Sequence, residues 1–177
     1  MMSEGKKFEE DLEKSANKQN IFCFRVRDVN PMLLKKGAKT AKNKYDFLVY
    51  HKLYLVPMEL KSVKAKSISF DESMIKDYQI KSLTEASTYR GVIAGFLFNF
   101  RIEDEPKTYF IHINDFNAYK NIAENQLEHN YKSKVNRSSI PIGICEEIGI
   151  EVKWRKPISR YTYYLNDLFN ELTEKYG

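Results

Sequence analysis

The sequence predicts an α/β fold, an α+β mixed sheet flanked by helices, and three observations point to it. Apolar runs of strand length ("IFCFRV", "YDFLVY", "LYLVPMELK", "GVIAGFLFNF", "TYFIHI") alternate with charged stretches whose apolar residues recur at helical spacing. No internal repeat or Pro/Gly-rich linker divides the chain, and 177 residues suit a single domain over residues 1–177, because one core commonly serves about 150 residues. The longest apolar run, Gly91 to Phe100, falls well short of the ~20 residues of a membrane-spanning helix, so no membrane partner is expected.

The elements follow in order. "EGKKFEEDLEKSANKQN" places Phe8, Leu12 and Ala16 one turn apart among charges, which predicts an opening amphipathic helix. "IFCFRV" is aromatic and strand-like. "YDFLVY" and "LYLVPMELK", separated by His51 and Lys52, read as a hairpin. Pro57 within the second run removes a ladder donor and suggests an edge strand or a local distortion. "DESMIKDYQIKSLTEAS" aligns Met74, Ile75, Tyr78 and Leu83 on one side of a helix that Asp71 would cap. "GVIAGFLFNF" and "TYFIHI" are core strands joined by the turn "RIEDEPK". A helix is expected after Asp115, then the basic loop "NYKSKVNRSSIP", then a last helix over "YTYYLNDLFNELTEKY".

The hairpin gathers chemistry on one face. With the turn centred on His51 and Lys52, Tyr50 would face Leu53 and Asp46 would face Pro57. Pro57, Glu59 and Lys61 share a face by the period of two, so Asp46, Glu59 and Lys61 converge. Asp46 and Glu59 would then be diagonal neighbours about 7–8 Å apart, within reach of one cation. Two carboxylates suit Mg²⁺ or Mn²⁺, which polarises a phosphodiester and lowers the pKa of bound water, and a neighbouring ammonium stabilises the developing charge. The chemistry this suggests is metal-assisted phosphodiester hydrolysis. The alternative is an exposed ion-pair cluster on a solvated face.

Charge is unevenly spread. Between Arg25 and Lys66 eleven Lys or Arg stand against three acids, and "KKGAKTAKNK" holds five lysines and no acid. This basic loop, residues 28–44, is either a solvated linker or a phosphate-contacting element, since clustered lysines displace counterions from a nucleic-acid backbone. Arg25, Arg27, Lys35, Lys36, Lys39, Lys42, Lys44, Lys64 and Lys66 are the candidate DNA-contacting residues.

"YDF" followed by "MELK" resembles the PD-(D/E)XK nuclease superfamily. With "GKKFEEDL", "DYQIKSL" and "RSSIPIGICEEIGIEV" in order along nearly the whole chain, the sequence more narrowly resembles the RecU-type Holliday junction resolvases. The resemblance implies a restriction-endonuclease-like nuclease core, a Mg²⁺ (or Mn²⁺) cofactor, a homodimer and branched DNA, the four-way junction, as partner. It also implies roles: Asp46 and Glu59 as metal ligands, Lys61 as transition-state stabiliser, Gln79 at the metal site and Glu9 in support. Helical spacing agrees for Gln79, one turn from Ile75 and Leu83; the alternative is a helix glutamine bonded to backbone. Glu9 could equally be one more carboxylate on a charged helix. Lys44 stands where the family has Thr, and the stalk preceding Asp46 is short. A repair or restriction-like nuclease, or a non-catalytic DNA-binding homologue, remains as an alternative.

Other features carry less. Cys23 and Cys145 sit beside apolar residues and read as two buried thiols. His51, His112 and His129 lack zinc spacing and read as turn or surface residues. No Gly-rich phosphate loop occurs, so no nucleotide cofactor is expected. The charged N-terminus has no secretory pattern, so a cytoplasmic, nucleoid-associated location is expected. The tyrosines of "RYTYYLNDLF" could stack on bases or serve the core.

Overall fold

Ser3 starts the architecture. The computed structural model describes residues 3–27, 42–102 and 105–177. Helix α1 (Glu4–Lys18) opens with the Ser3 hydroxyl accepting from the Lys6 N–H at 3.4 Å, and its Phe8, Leu12 and Ala16 are buried as the spacing required. Asn20 takes a left-handed φ of 55°. The chain then enters β1 (Phe22–Arg25).

Strands β2 (Phe47–His51) and β3 (Tyr54–Val63) form the expected hairpin, with one correction to register. His51 faces Tyr54 and Leu48 faces Pro57, so the turn is Lys52–Leu53, and Asp46 does not face Pro57. Lys52 supplies the left-handed turn residue, with φ 54°. The pairing slips by two residues relative to the expectation. An even slip leaves every side chain on its expected face. The edge position inferred from Pro57 is also corrected, because β3 lies inside the sheet between β2 and β5.

After β3 come β4 (Ser67–Ser69), α2 (Asp77–Ala86), β5 (Gly95–Phe100), β6 (Lys107–His112) and α3 (Ile113–Asn125). Then follow β7 (Ser139–Pro141), α4 (Ile142–Ile148), β8 (Ile150–Glu151), β9 (Trp154–Arg155), β10 (Thr162–Tyr163) and α5 (Leu165–Tyr176). Among the described residues the main sheet has six strands in the order β1-β2-β3-β5-β6-β8, and β4–β7 and β9–β10 form two small sheets. The sheet is mixed: β3 and β5 run parallel, the other neighbours antiparallel. The chain therefore has the mixed α/β architecture expected, a sheet between helical layers.

Alternation along the strands sorts two cores. Phe47, Val49, Val56, Met58, Leu97 and Phe110 pack with α1 and α5 on one face. On the other face, Phe96, Phe98, Phe100 and Ile111 pack with Leu83 of α2, Phe116 and Tyr119 of α3 and Ile144 of α4. All of β5 is buried, which accounts for its apolar sequence; the exception, Asn99, is hydrogen-bonded to Ser62 and Thr108.

Three element boundaries differ from expectation. Asp71 does not cap α2. Its carboxylate accepts from the Ser73 N–H at 2.8 Å and its carbonyl from Met74 and Ile75, closing a local turn before an extended Lys76 starts the helix. The last helix starts at Leu165, because Thr162 and Tyr163 are drawn into pairing with Arg155 and Trp154. The strand expected from Gly91 begins at Gly95, after a turn in which Gly91 holds φ 79°. His112 is no surface histidine: it is buried and caps α3, Nδ1 accepting from the Asn114 N–H at 3.2 Å. Among the described residues no helix is long and apolar enough to cross a membrane. Lys35, Lys36 and Lys39, with most of the basic segment, lie outside the described residues.

Candidate active site

The hairpin register sets the first pair of side chains. Asp46 lies immediately before β2, and its backbone N–H donates to the Met58 carbonyl at 3.0 Å. Its Oδ2 accepts from the Leu60 N–H at 2.8 Å, which fastens the carboxylate across β3. Glu59 and Lys61, two apart on β3, reach the same face, and the N-terminal end of α2 lies over it. Lys61 Nζ donates to Glu59 Oε1 at 2.9 Å and to Gln79 Oε1 at 3.1 Å. Gln79 Nε2 donates to the same Glu59 oxygen. Gln79 Oε1 also accepts from the Lys76 N–H at 3.1 Å, so this amide both caps α2 and ties the helix to the carboxylate.

Glu59 is 3% exposed and Gln79 5%, while Asp46 and Lys61 are half-buried and Asp46 opens onto a cleft. Burial first, and the neighbouring Asp46 charge second, push the Glu59 carboxyl up to about 7, against the pull of Lys61. Burial also raises Asp46, opposed by the Leu60 N–H and assisted by the charge of Glu9. The two carboxyl groups lie close enough for the charge of Asp46 to raise Glu59. One ammonium therefore faces one buried and one half-buried acid, and a second cation would relieve the surplus negative charge. Among the described residues no group of three or more His, Cys, Asp or Glu side chains is gathered for a metal. The donors that fit a hard cation are the Asp46 and Glu59 oxygens, with the Gln79 amide beside them.

Glu9 reaches the site from α1. It shares a cleft of about 570 Å³ with Asp46, Arg25, Arg27, Lys6 and Lys14. There it pairs with Arg25, which also meets Glu13 at 3.3 Å. Arg25 is thus held by two carboxylates, while the exposed Arg27 meets Glu13 at 3.6 Å. Lys42 lies over the Tyr78 ring at 4.9 Å and Lys44 pairs with Glu85 at 3.6 Å. Lys64 and Lys66 are exposed. Lys6 and Lys14 are additional cations of the cleft. Their signal was available, since Lys6, Glu10 and Lys14 recur every four residues along α1, with Glu9 and Glu13 beside them at the same spacing.

The remaining candidates stay apart. Cys23 and Cys145 are free thiols, Cys145 buried and Cys23 partly so; burial pushes Cys23 up to about 12 and Cys145 higher still. Both are protonated and inert at neutral pH. Tyr163 is buried in the core, whereas Tyr164 is exposed.

No family model matches the chain. The chain is 60% identical over 173 residues to the SPbeta prophage-derived uncharacterized protein YotM of Bacillus subtilis (strain 168), covering 98% of this chain and 88% of that protein. The chain belongs to the family of that prophage protein. Among solved structures it is similar to Hjc, a Holliday junction resolvase of Archaeoglobus fulgidus, at 14% identity and a TM-score of 0.49, over 83% of this chain and 95% of that one.

Proposed function

We propose that this chain is a metal-dependent, structure-selective DNA endonuclease of the RecU type within the PD-(D/E)XK superfamily. It cuts four-way junctions in recombination and repair, as a single nuclease domain acting in the cytoplasm on nucleoid DNA. The observation that carries the reading is the half-buried Asp46 beside the buried Glu59, with the Lys61 ammonium 2.9 Å from Glu59. Asp46 and Glu59, with Gln79 at their side, would hold Mg²⁺ or Mn²⁺. When bound, such a cation supplies polarisation of the phosphodiester and a lowered pKa for attacking water.

The chain's own groups divide the remaining work. Lys61 orients the attacking water and stabilises charge gathering on the phosphate oxygens, at a place where little water screens it. Gln79 fixes Lys61 against Glu59 and so sets the position of both. Glu9 and Arg25 set the potential at the cleft mouth beside Asp46. Symmetric incision of two strands requires two sites about a two-fold axis, hence a homodimer. Phe22 and Phe24 of the outer strand β1, 65% and 56% exposed, lie beside Tyr50 and offer an apolar surface to the second copy.

The test is incubation of the protein with labelled four-way junction, duplex and single strand in Mg²⁺, Mn²⁺ or chelator. Junction cleavage in either metal, absent in chelator and absent in Glu59→Gln despite retained junction binding, is the expected result. Cutting that persists in excess chelator, or in Glu59→Gln, removes the reading.

A further inference from the structure

The segment from Lys153 to Tyr163 contains a feature that neither the cleft nor the core accounts for. Strands β9 and β10 form a small hairpin whose tip carries Pro157 and Ile158, and Ile158 is 92% exposed. An isoleucine so placed adds nothing to packing, yet the hairpin beneath it is firmly anchored. Trp154 Nε1 donates to the Pro106 carbonyl at 2.6 Å, and its ring meets Tyr161 edge-on at 4.9 Å. Arg160 donates to Asp11 at 2.5 Å, to Glu10 at 3.2 Å and to the Lys7 carbonyl at 3.1 Å.

Within the hairpin every charge is positive, although Glu4 and Asp11 of α1 line the hollow beside Lys156 and Ser159. Lys153, Arg155 and Lys156 are exposed, and no acid occurs from Val152 to Tyr164. Among the described residues Lys153 and Arg155 form no ion pair, while Lys156 lies 5.1 Å over the Tyr161 ring. Arg160 is the exception, being spent on the α1 carboxylates. A rigid tip with an exposed apolar wedge and unpaired cations beside it is the composition that opens base steps from the minor groove.

Position agrees. Lys7, Glu10 and Asp11 of α1 hold the hairpin, while Glu9 and Glu13 of the same helix face the Asp46 cleft, which Glu10 also lines. A helix is about 10–12 Å across with its side chains, a span of roughly three or four nucleotides at ~3.4 Å per step.

We infer that the β9–β10 hairpin is a second DNA contact. Lys153, Arg155 and Lys156 hold phosphates of a duplex arm while Ile158, backed by Pro157, presses between base steps a few nucleotides from the cut. The inference rests on the nuclease reading above and adds a binding element to it.

The test compares the parent with Ile158→Ala and with the triple variant Lys153→Ala/Arg155→Ala/Lys156→Ala. Fluorescence anisotropy on a four-way junction in chelator, across a series of salt concentrations, gives affinity and salt slope. A 2-aminopurine series along one arm reports unstacking. The triple variant should lose up to about 2.7 from the salt slope, at ~0.9 per phosphate, and bind about tenfold more weakly or worse near 0.15 M salt. Ile158→Ala should keep the slope, bind several-fold more weakly and lose the 2-aminopurine signal. A triple variant with the parent's slope and affinity, while the parent still cuts junctions in Mg²⁺, overturns the hairpin alone. A parent that neither binds nor cuts overturns the nuclease reading and the hairpin together. Loss of binding to phosphatidylserine/phosphatidylcholine vesicles with DNA affinity intact would reassign the hairpin to membranes and also overturn the proposal.

Discussion

Strands β3 and β5 lie side by side, and on one face they bury opposite chemistries. Glu59 pairs in register with Phe96, and Lys61 with Phe98. The β5 side is closed by aromatic packing, with Phe96 and Phe116 ring centres 4.7 Å apart. The β3 side is closed by hydrogen bonds from a single glutamine on α2. Phe96, Phe98 and Glu59 are buried, and Lys61 is mostly so. Apolar burial there lowers the free energy of the folded state, whereas burying carboxylate charge against one ammonium raises it. The difference teaches that the sheet's stability and its chemistry lie on adjacent strands, with the aromatic half holding the charged half in place.

Breaking the aromatic half should have the largest effect on stability. Phe116→Ala removes a ring buried among Phe70, Phe96 and Phe98 and should cost about 3–5 kcal/mol, measured by urea unfolding. A loss below 1 kcal/mol would mean this core is not the support described. Next in size is Lys61→Ala. It should leave junction binding nearly intact and slow single-turnover cleavage by about 10²–10³-fold, the scale of losing one donor to developing charge. An equal loss of binding and rate would make Lys61 a DNA anchor instead.

Glu59→Gln sharpens the comparison in the opposite direction. The folded protein holds the Glu59 proton more tightly than the unfolded chain does, about 7 against 4.5. Its contribution to stability is therefore complete below about pH 4.5 and lost as pH rises through about 7. In chelator at pH 8 this amounts to a penalty on the order of 3 kcal/mol, most of which Glu59→Gln should recover. The variant should thus be more stable and inactive. Thermal melts at pH 5 and pH 8 check this, and a variant less stable than the parent at pH 8 would contradict it. The smallest stability effect is expected from Phe22→Ser/Phe24→Ser. On an exposed strand the change should stay within about 0.5 kcal/mol, yet sedimentation should show the mass falling to that of one chain. An unchanged dimer would place the contact elsewhere.

The sequence made the charged half more legible than its surroundings. Asp46, Glu59 and Lys61 converge because side-chain parity survives a two-residue error in register; Gln79 was placed with them by the family resemblance, and helical spacing agreed only in turning its amide toward the sheet. The sheet's strands were readable as apolar runs, and α1 as a stripe. Long-range partners left no local trace. Nothing near Arg25 signals that Glu9 and Glu13 hold it, and nothing near Thr162 signals pairing with Arg155. Asp71 has the residue type of a helix cap, but its hydrogen bonds were already satisfied by its own turn. Short elements such as α4, β7 and β8 are too brief for periodicity to mark, and depend on what they pack against.

The proposition that a carboxylate pair awaits a cation can be read from Glu59 itself. Carboxyl-carbon NMR of the protein, titrated from pH 4 to 9 in chelator and again in Mg²⁺, follows that one group. The expected midpoint lies near 7 in chelator and falls by more than one unit with Mg²⁺, and Asp46→Asn should abolish the metal-induced shift. A Glu59 midpoint in the ordinary carboxylate range, unmoved by Mg²⁺ or Mn²⁺, would contradict the metal site and the chemistry built on it.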